Sequence, residues 1–348
     1  KNVLGKMSLR EKVGQLFIVR PEALAENSNA ETAPATDRVD DAVISRIEEY
    51  PVGGIALFSR NITSAEQLPM FISDLQSSSK YPLFIAVDEE GGRVARIANS
   101  GYFDVASYKS MEDIGKSGDA SKAEEVGRQI GLYLKELGFN LDFAPVADTN
   151  TNPQNIVIGD RSYGSDPVLV ARMVSAQLDG MHDSGIMGTL KHFPGHGDTK
   201  DDTHSGYVSI EKTWDELKEC ELVPFITALP KADMVMVSHI TAVNVTSDQL
   251  PTSMSETMIT GKLRNELGYD GVIITDAMAM GAVADNYTSA EAAVTAVKAG
   301  VDIVLMPQNL DEAFNGVINA VTDGEISMAR LDESVMRILK LKARYKLI

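Results

Sequence analysis

Eight short runs of β-branched and other apolar residues recur along the chain, at residues 14–19, 53–58, 83–87, 141–146, 186–191, 234–238, 272–275 and 303–306. Most are followed by a turn and then an amphipathic stretch, clearest at residues 121–137, 167–182, 214–229 and 290–299, with a last helix expected near 327–345. Strands that are apolar on both faces belong to a covered sheet, and strand–helix alternation builds a parallel one. Eight such units in 348 residues fit a closed (β/α)8 TIM-type barrel better than an open doubly wound sheet. The alternation continues to the last helix without a repeat of solenoid length, so residues 1–348 read as one barrel domain with no second domain. Ser8 and Glu11 have the spacing of a capping box and mark the first helix. Residues 21–38, rich in Ala, Glu, Asn, Thr and Pro without periodicity, read as a surface loop.

Aromatic residues make up 6% of the chain, so Val, Ile, Leu, Ala and Met must fill the core. No apolar run approaches the roughly 20 residues needed to cross a bilayer, so no membrane span is expected. A net charge of −18, from 32 basic and 50 acidic residues, argues against nucleic acid or an anionic membrane surface as the main partner. The lone Cys220 excludes an internal disulfide. The chain opens on Lys1 rather than Met, which points to an upstream piece; a removed export signal fits that start as well as an arbitrary boundary does. Together with the 21–38 loop this favours an extracellular or cell-envelope location, with the cytoplasm as the alternative.

In a parallel barrel the residues just past each strand face one mouth. Here those positions carry Asp88, Glu89, Glu90 and Arg93 after the third run and Asp148, then Arg161, after the fourth. Lys191 and His192 follow the fifth, Ser238 and His239 the sixth, and Thr275 and Asp276 the seventh. A single Asp after a strand is more often a helix cap than a catalyst, but charge at five of eight ends points to a site. Residues 191–204 hold three of the five histidines. His192 and His196 have the i, i+4 spacing of a metal pair on a helix, but Pro194, Gly195 and Gly197 make a helix there untenable. In extended backbone Asp202 and His204 point the same way, so the carboxylate can fix the imidazole tautomer and make His204 a general acid. Asp276 closes a strand and is held as rigidly as a covalent nucleophile must be.

These segments together resemble glycoside hydrolase family 3, in its β-N-acetylglucosaminidase branch. The matching pieces are Gly53-Gly54-Ile55 with Phe58, Val87-Asp88-Glu89-Glu90-Gly91-Gly92-Arg93-Val94-Ala95-Arg96, and Asp142-Phe143-Ala144-Pro145-Val146. They continue with Gly159-Asp160-Arg161-Ser162-Tyr163-Gly164, Lys191-His192-Phe193-Pro194-Gly195-His196-Gly197 with Asp202 and His204 downstream, Ile274-Thr275-Asp276-Ala277-Met278, and Ala299-Gly300-Val301-Asp302. The resemblance implies Asp276 as nucleophile and His204, paired with Asp202, as acid/base. It further implies Asp88, Arg96, Arg161, Lys191 and His192 as binders of the sugar's hydroxyls and acetamido group. No metal or organic cofactor is implied, and the partner is a carbohydrate met by a monomer. The expected reaction is retaining, exo-acting release of terminal β-linked N-acetylglucosamine, with peptidoglycan-derived fragments as the natural class.

Two departures stand out. Retaining glycosidases usually set two carboxyl groups about 5–5.5 Å apart, whereas one partner here is an imidazole on a loop expected to close over the substrate. The family usually has Gln where this chain has Glu89, whose charge would alter binding or pair with Arg93 or Arg96. The dyad also permits phosphate as the acceptor, because a histidine does not repel it as a carboxylate would, so a phosphorylase is the near alternative, beside a β-glucosidase. A zinc-dependent hydrolase and a non-catalytic sugar-binding barrel are the distant ones.

Overall fold

Each of the eight apolar runs contains a strand: β1 Phe17–Val19, β2 Gly54–Leu57, β3 Phe84–Val87, β4 Leu141–Asp142, β5 Met187–Phe193, β6 Met234–Val237, β7 Val272–Thr275 and β8 Val304–Leu305. The computed structural model describes residues 3–25, 33–199 and 208–348. Neighbours from β1 to β7 pair in chain order, all parallel, and β8 pairs with β1. A parallel bridge between Ile274 and Ile303 joins β7 to the approach of β8 and closes the ring. The fold is therefore the eightfold parallel barrel that the alternation predicts. Every residue of every barrel strand is buried, the reason the runs read as continuously apolar.

Three expectations change. The fourth run pairs regularly only over Leu141–Asp142, and Val146 rejoins the sheet as a single bridge to Lys191. Pro145 lies between and has no N–H for the ladder. The stretch at 214–229 is two short helices, Trp214–Glu219 and Val223–Ala228, with Pro224 in the first turn of the second, where it cannot continue the preceding helix. The 21–38 loop is not all surface either, because Pro21–Leu24 forms a buried 3-10 turn in which Glu22 accepts from Asn61 Nδ2 at 2.7 Å.

The longer helices are α1 Leu9–Gln15, α2 Asp41–Glu49, α3 Gln67–Ser78, α4 Ala120–Leu137, α5 Pro167–Ser184, α6 Ser289–Ala299, α7 Leu310–Thr322 and α8 Met328–Arg344. The capping box at Ser8 and Glu11 is present at the start of α1. Helices α4 and α5 touch through glycine: a Cβ on Gly127 would lie 2.1 Å from the Gln177 carbonyl oxygen, and one on Gly180 1.9 Å from that of Glu124. At the foot of the barrel α8 inserts Lys342, whose ammonium reaches Gln15 Oε1 at 2.7 Å and the Gly53 carbonyl at 3.0 Å, over the Phe84 ring. The opposite end, where the strands finish, is left to the polar residues.

Candidate active site

The loop after β3 folds back as a small antiparallel hairpin, Glu89–Gly91 against Val94–Ala95. Gly91 and Gly92 both take positive φ (88° and 63°), which residues with a Cβ rarely adopt, so the turn demands glycine. This hairpin presents Asp88, Glu90 and Arg96 to the mouth. A 3-10 turn at Gly159–Arg161 brings in Arg161, and β5 itself carries Lys191 and His192. With Asp276 beyond β7 these residues line one cleft of about 460 Å³, whose wall is completed by Arg20, Phe58, His196, Met280 and Met306.

Charge in the cleft is paired in layers. Glu90, 2% exposed, accepts from Arg161 Nε at 2.8 Å and Nη2 at 2.7 Å and meets Lys191 Nζ at 2.6 Å. Burial alone would push the Glu90 carboxyl up, but the guanidinium and the ammonium outweigh it and hold the group below the ordinary carboxylate range. Lys191 also donates to Asp88 Oδ1 at 2.8 Å, and Arg96 lies 3.8 Å from Asp88 Oδ2, its guanidinium 5.6 Å from the Phe58 ring centre. Burial works against the Lys191 ammonium, yet Asp88 and Glu90 raise it. The cation is thus locked beside a carboxylate that still offers its second oxygen.

Under the histidines lies Asp148, fully buried. It accepts the backbone N–H of His196 at 2.6 Å and meets His192 Nδ1 at 2.7 Å. Burial opposes its charge, but His192 and His196 lower the carboxyl, so Asp148 accepts and His192 donates from Nδ1. Thr199 Oγ1 lies 2.7 Å from His196 Nδ1 and 2.9 Å from the His196 carbonyl oxygen. Each ring therefore spends its Nδ1 on the protein, and among the described residues no three His, Cys, Asp or Glu side chains cluster as a metal set.

Asp276 is half-buried, and its Oδ1 accepts the Ala277 N–H at 2.8 Å. Burial raises the carboxyl, but the imidazoles of His192 and His239, the Ala277 amide and Lys191 together bring it below its usual value. His239 is fixed in turn by Ser253 Oγ at 2.8 Å and by the Ala277 carbonyl at 2.9 Å. The result is an ionised carboxylate with one oxygen anchored.

Of the residues expected at the site, Asp88, Arg96, Arg161, Lys191, His192 and Asp276 surround this single cleft. Asp202 and His204 lie outside the described residues. Glu90, Asp148 and His239 stood among the strand-end polar residues without a role, and the buried contacts now explain each. The pairing suggested for Glu89 does not form. Arg93 instead holds Asp160 at 2.9 Å and the carbonyls of Ile156, Val157 and Ile158, while Arg96 turns to Asp88 and Phe58. No sequence signal marked Arg20 or Met306, which reach the cleft from the ends of β1 and β8.

A parallel barrel whose strand ends gather an ionised carboxylate and layered ion pairs in one cleft has the architecture of an enzyme site. Comparison with known proteins gives the family. The Glycosyl hydrolase family 3 N terminal domain matches residues 8–341, and the chain belongs to that family. It is 36% identical over 329 residues to Beta-hexosaminidase A of Pseudoalteromonas piscicida, covering 86% of this chain but 54% of that protein, so the chain spans about half of that relative's length. Against Beta-hexosaminidase LpqI of Mycobacterium tuberculosis it is 31% identical over 349 residues, covering 97% of this chain and 83% of the other. The fold matches a glycoside hydrolase family 3 beta-N-acetylglucosaminidase from Paenibacillus sp. str. FPU-7 with a TM-score of 0.88 at 38% identity, over 98% of this chain and 63% of that one.

Proposed function

We propose that the protein is a retaining β-N-acetylglucosaminidase that removes terminal β-linked N-acetylglucosamine from glycans, peptidoglycan-derived fragments being the natural class. The observation that carries the reading is Asp276: a carboxylate kept ionised at the end of β7, with Oδ1 tied to the Ala277 amide, so that Oδ2 is the oxygen assigned to attack. In the first half-reaction Oδ2 forms a bond to the anomeric carbon while the bond to the leaving oxygen breaks, and that oxygen takes a proton from His204. In the second, water attacks the same carbon, gives its proton to His204, and the glycosyl–Asp276 ester breaks. Asp202 orients His204 throughout.

Asp88, Arg96, Arg161, Lys191 and His192 hold the glycone. The Lys191–Asp88 contact offers a donor and an acceptor side by side, the pattern that a ring hydroxyl, itself donor and acceptor, satisfies on both sides. The relatives named beta-hexosaminidase and the solved beta-N-acetylglucosaminidase support the acetamido sugar as substrate.

An aryl N-acetyl-β-glucosaminide assay tests the reading. Asp276→Ala should lose about 10⁴-fold or more in kcat, the scale expected when a covalent nucleophile is removed. A slow fluorinated glycosyl donor should add one sugar to the peptide bearing Asp276 in the wild type alone. An Asp276→Ala variant of full activity would sink the nucleophile assignment. Glycosyl phosphate appearing with rising phosphate would move the acceptor from water to phosphate with the same intermediate.

A further inference from the structure

The hairpin that presents Asp88, Glu90 and Arg96 contains one more carboxyl, Glu89, and it faces away from the cleft. It is fully buried. Its Oε2 accepts the Ile97 N–H at 2.8 Å, and its Oε1 accepts the Ala98 N–H and the Tyr133 hydroxyl, both at 2.8 Å. The first two donors lie in the turn immediately after Arg96, and Tyr133 is on α4. One side chain therefore fastens the Arg96 turn to a helix of the outer ring.

We propose that Glu89 is a positioning residue for the sugar-binding hairpin, its carboxylate holding the turn that carries Arg96 and making the binding of substrate, rather than the chemical step, sensitive to acid. The inference rests on the reading that Asp88 and Arg96 bind the glycone. Three donors converge on Glu89, and a carboxylate answers all of them; a protonated carboxyl carries a hydrogen of its own, so one donor loses its acceptor. Removing an acceptor from a buried donor exposes the full cost of its desolvation.

The surroundings set where this happens. Tyr133 faces Glu89 from α4, with Tyr108 behind it. The Asp142 carboxyl at the end of β4 accepts the Glu89 backbone N–H at 2.9 Å, with Lys191 and Asp88 beyond it. Burial and the neighbouring charge push the Asp142 carboxyl well above the usual carboxylate range. Burial also raises Glu89, against the pull of the Ile97 and Ala98 amides, Tyr133 and the Arg96 amide. Glu89 thus takes up its proton earlier on acidification than an exposed glutamate would.

The test follows KM and kcat across the acid side for the wild type, Glu89→Gln and Tyr133→Phe, with an aryl N-acetyl-β-glucosaminide. In parallel, hydrogen exchange of the Ile97 and Ala98 amides is measured without substrate and corrected for the intrinsic pH dependence. In the wild type KM should rise about tenfold on the acid side, the scale of one lost charge-assisted hydrogen bond, while kcat, which His204 also titrates, follows the same pH profile in the wild type and in Glu89→Gln. Protection of the two amides should fall together with it. Glu89→Gln, which has no proton to take up and keeps one acceptor, should give a KM above the wild-type neutral value that no longer varies with pH there. Tyr133→Phe removes a donor that favours the carboxylate, so the rise in KM should move to higher pH.

Amide protection that stays constant through the acid side overturns the anchoring role. Falling protection without a rise in KM overturns its link to sugar binding, as does a rise that persists in Glu89→Gln. An enzyme inactive on the glycoside at every pH defeats the proposed function instead, and hydrogen exchange still decides the anchor.

Discussion

Glu90 is a residue on which the charge balance of the cleft turns, because its one carboxylate meets both Arg161 and Lys191. Glu90→Gln would leave the Arg161 guanidinium on a neutral acceptor and Lys191 with Asp88 alone. Breaking a buried pair from one side typically costs about 3–5 kcal/mol, and urea unfolding should show a loss on that scale together with a raised KM. The sign with pH follows from the direction of its shift. A carboxyl held below its unfolded value contributes fully above the ordinary carboxylate pKa, and the contribution fades only as pH falls through the lowered one. In Glu90→Gln that part of the acid dependence of stability should vanish. Asp148 works differently, since its carboxylate acts on His192 and His196.

Among the elements, the α4–α5 contact shows how close approach rather than side-chain fit sets a position. Gly180→Ala places a methyl against the Glu124 carbonyl oxygen and the Arg128 amide, neither of which can yield without moving α4. Overpacking of this kind costs about 1–3 kcal/mol, so the melting temperature should fall while the pH-independent part of KM at neutral pH stays within twofold. The strands were the most legible elements in the sequence, because a strand buried on both faces is written as an unbroken apolar run. Helices were legible where nothing interrupted the period, and 214–229 misled because its apolar spacing continues across Pro224. Candidate site residues were legible when they closed a strand or followed it directly, as Lys191 and His192 do in β5 and Asp276 does after β7. Their partners were not: Glu90 meets Arg161 across 71 positions and Glu89 meets Tyr133 across 44, and no local pattern encodes such a pairing. Charge complementarity suggested guanidinium partners for Glu89, whereas backbone amides and a phenol hold it.

At the scale of the whole molecule, the barrel divides its two ends between stability and chemistry. The foot is sealed by Lys342, buried among Gln15, Gly53 and Phe84 with no carboxylate in contact among the described residues. Burial lowers its ammonium from an ordinary 10.5 to about 7. The unfolded chain therefore binds more protons than the folded one between those values, and stability should rise with pH from about 7 towards 10, by up to ~1 kcal/mol per unit. Lys342→Met, which keeps the stem without the charge, should flatten that slope in chemical denaturation followed against pH. An unchanged slope would mean that the amine is already solvated in the folded state.

Ring closure also has a consequence for synthesis. The strand that joins β1 to the β7 side is β8, near residue 304, so a nascent chain that has released only β1 to β7 carries two open edges with unpaired backbone donors and acceptors. Until those last residues leave the ribosome the half-made barrel is an adhesive sheet, and its window of vulnerability to aggregation is set by the time needed to translate the segment from β7 to β8. Slowing translation there, by rare codons placed between residues 275 and 304, should lower soluble yield without altering the protein that does fold.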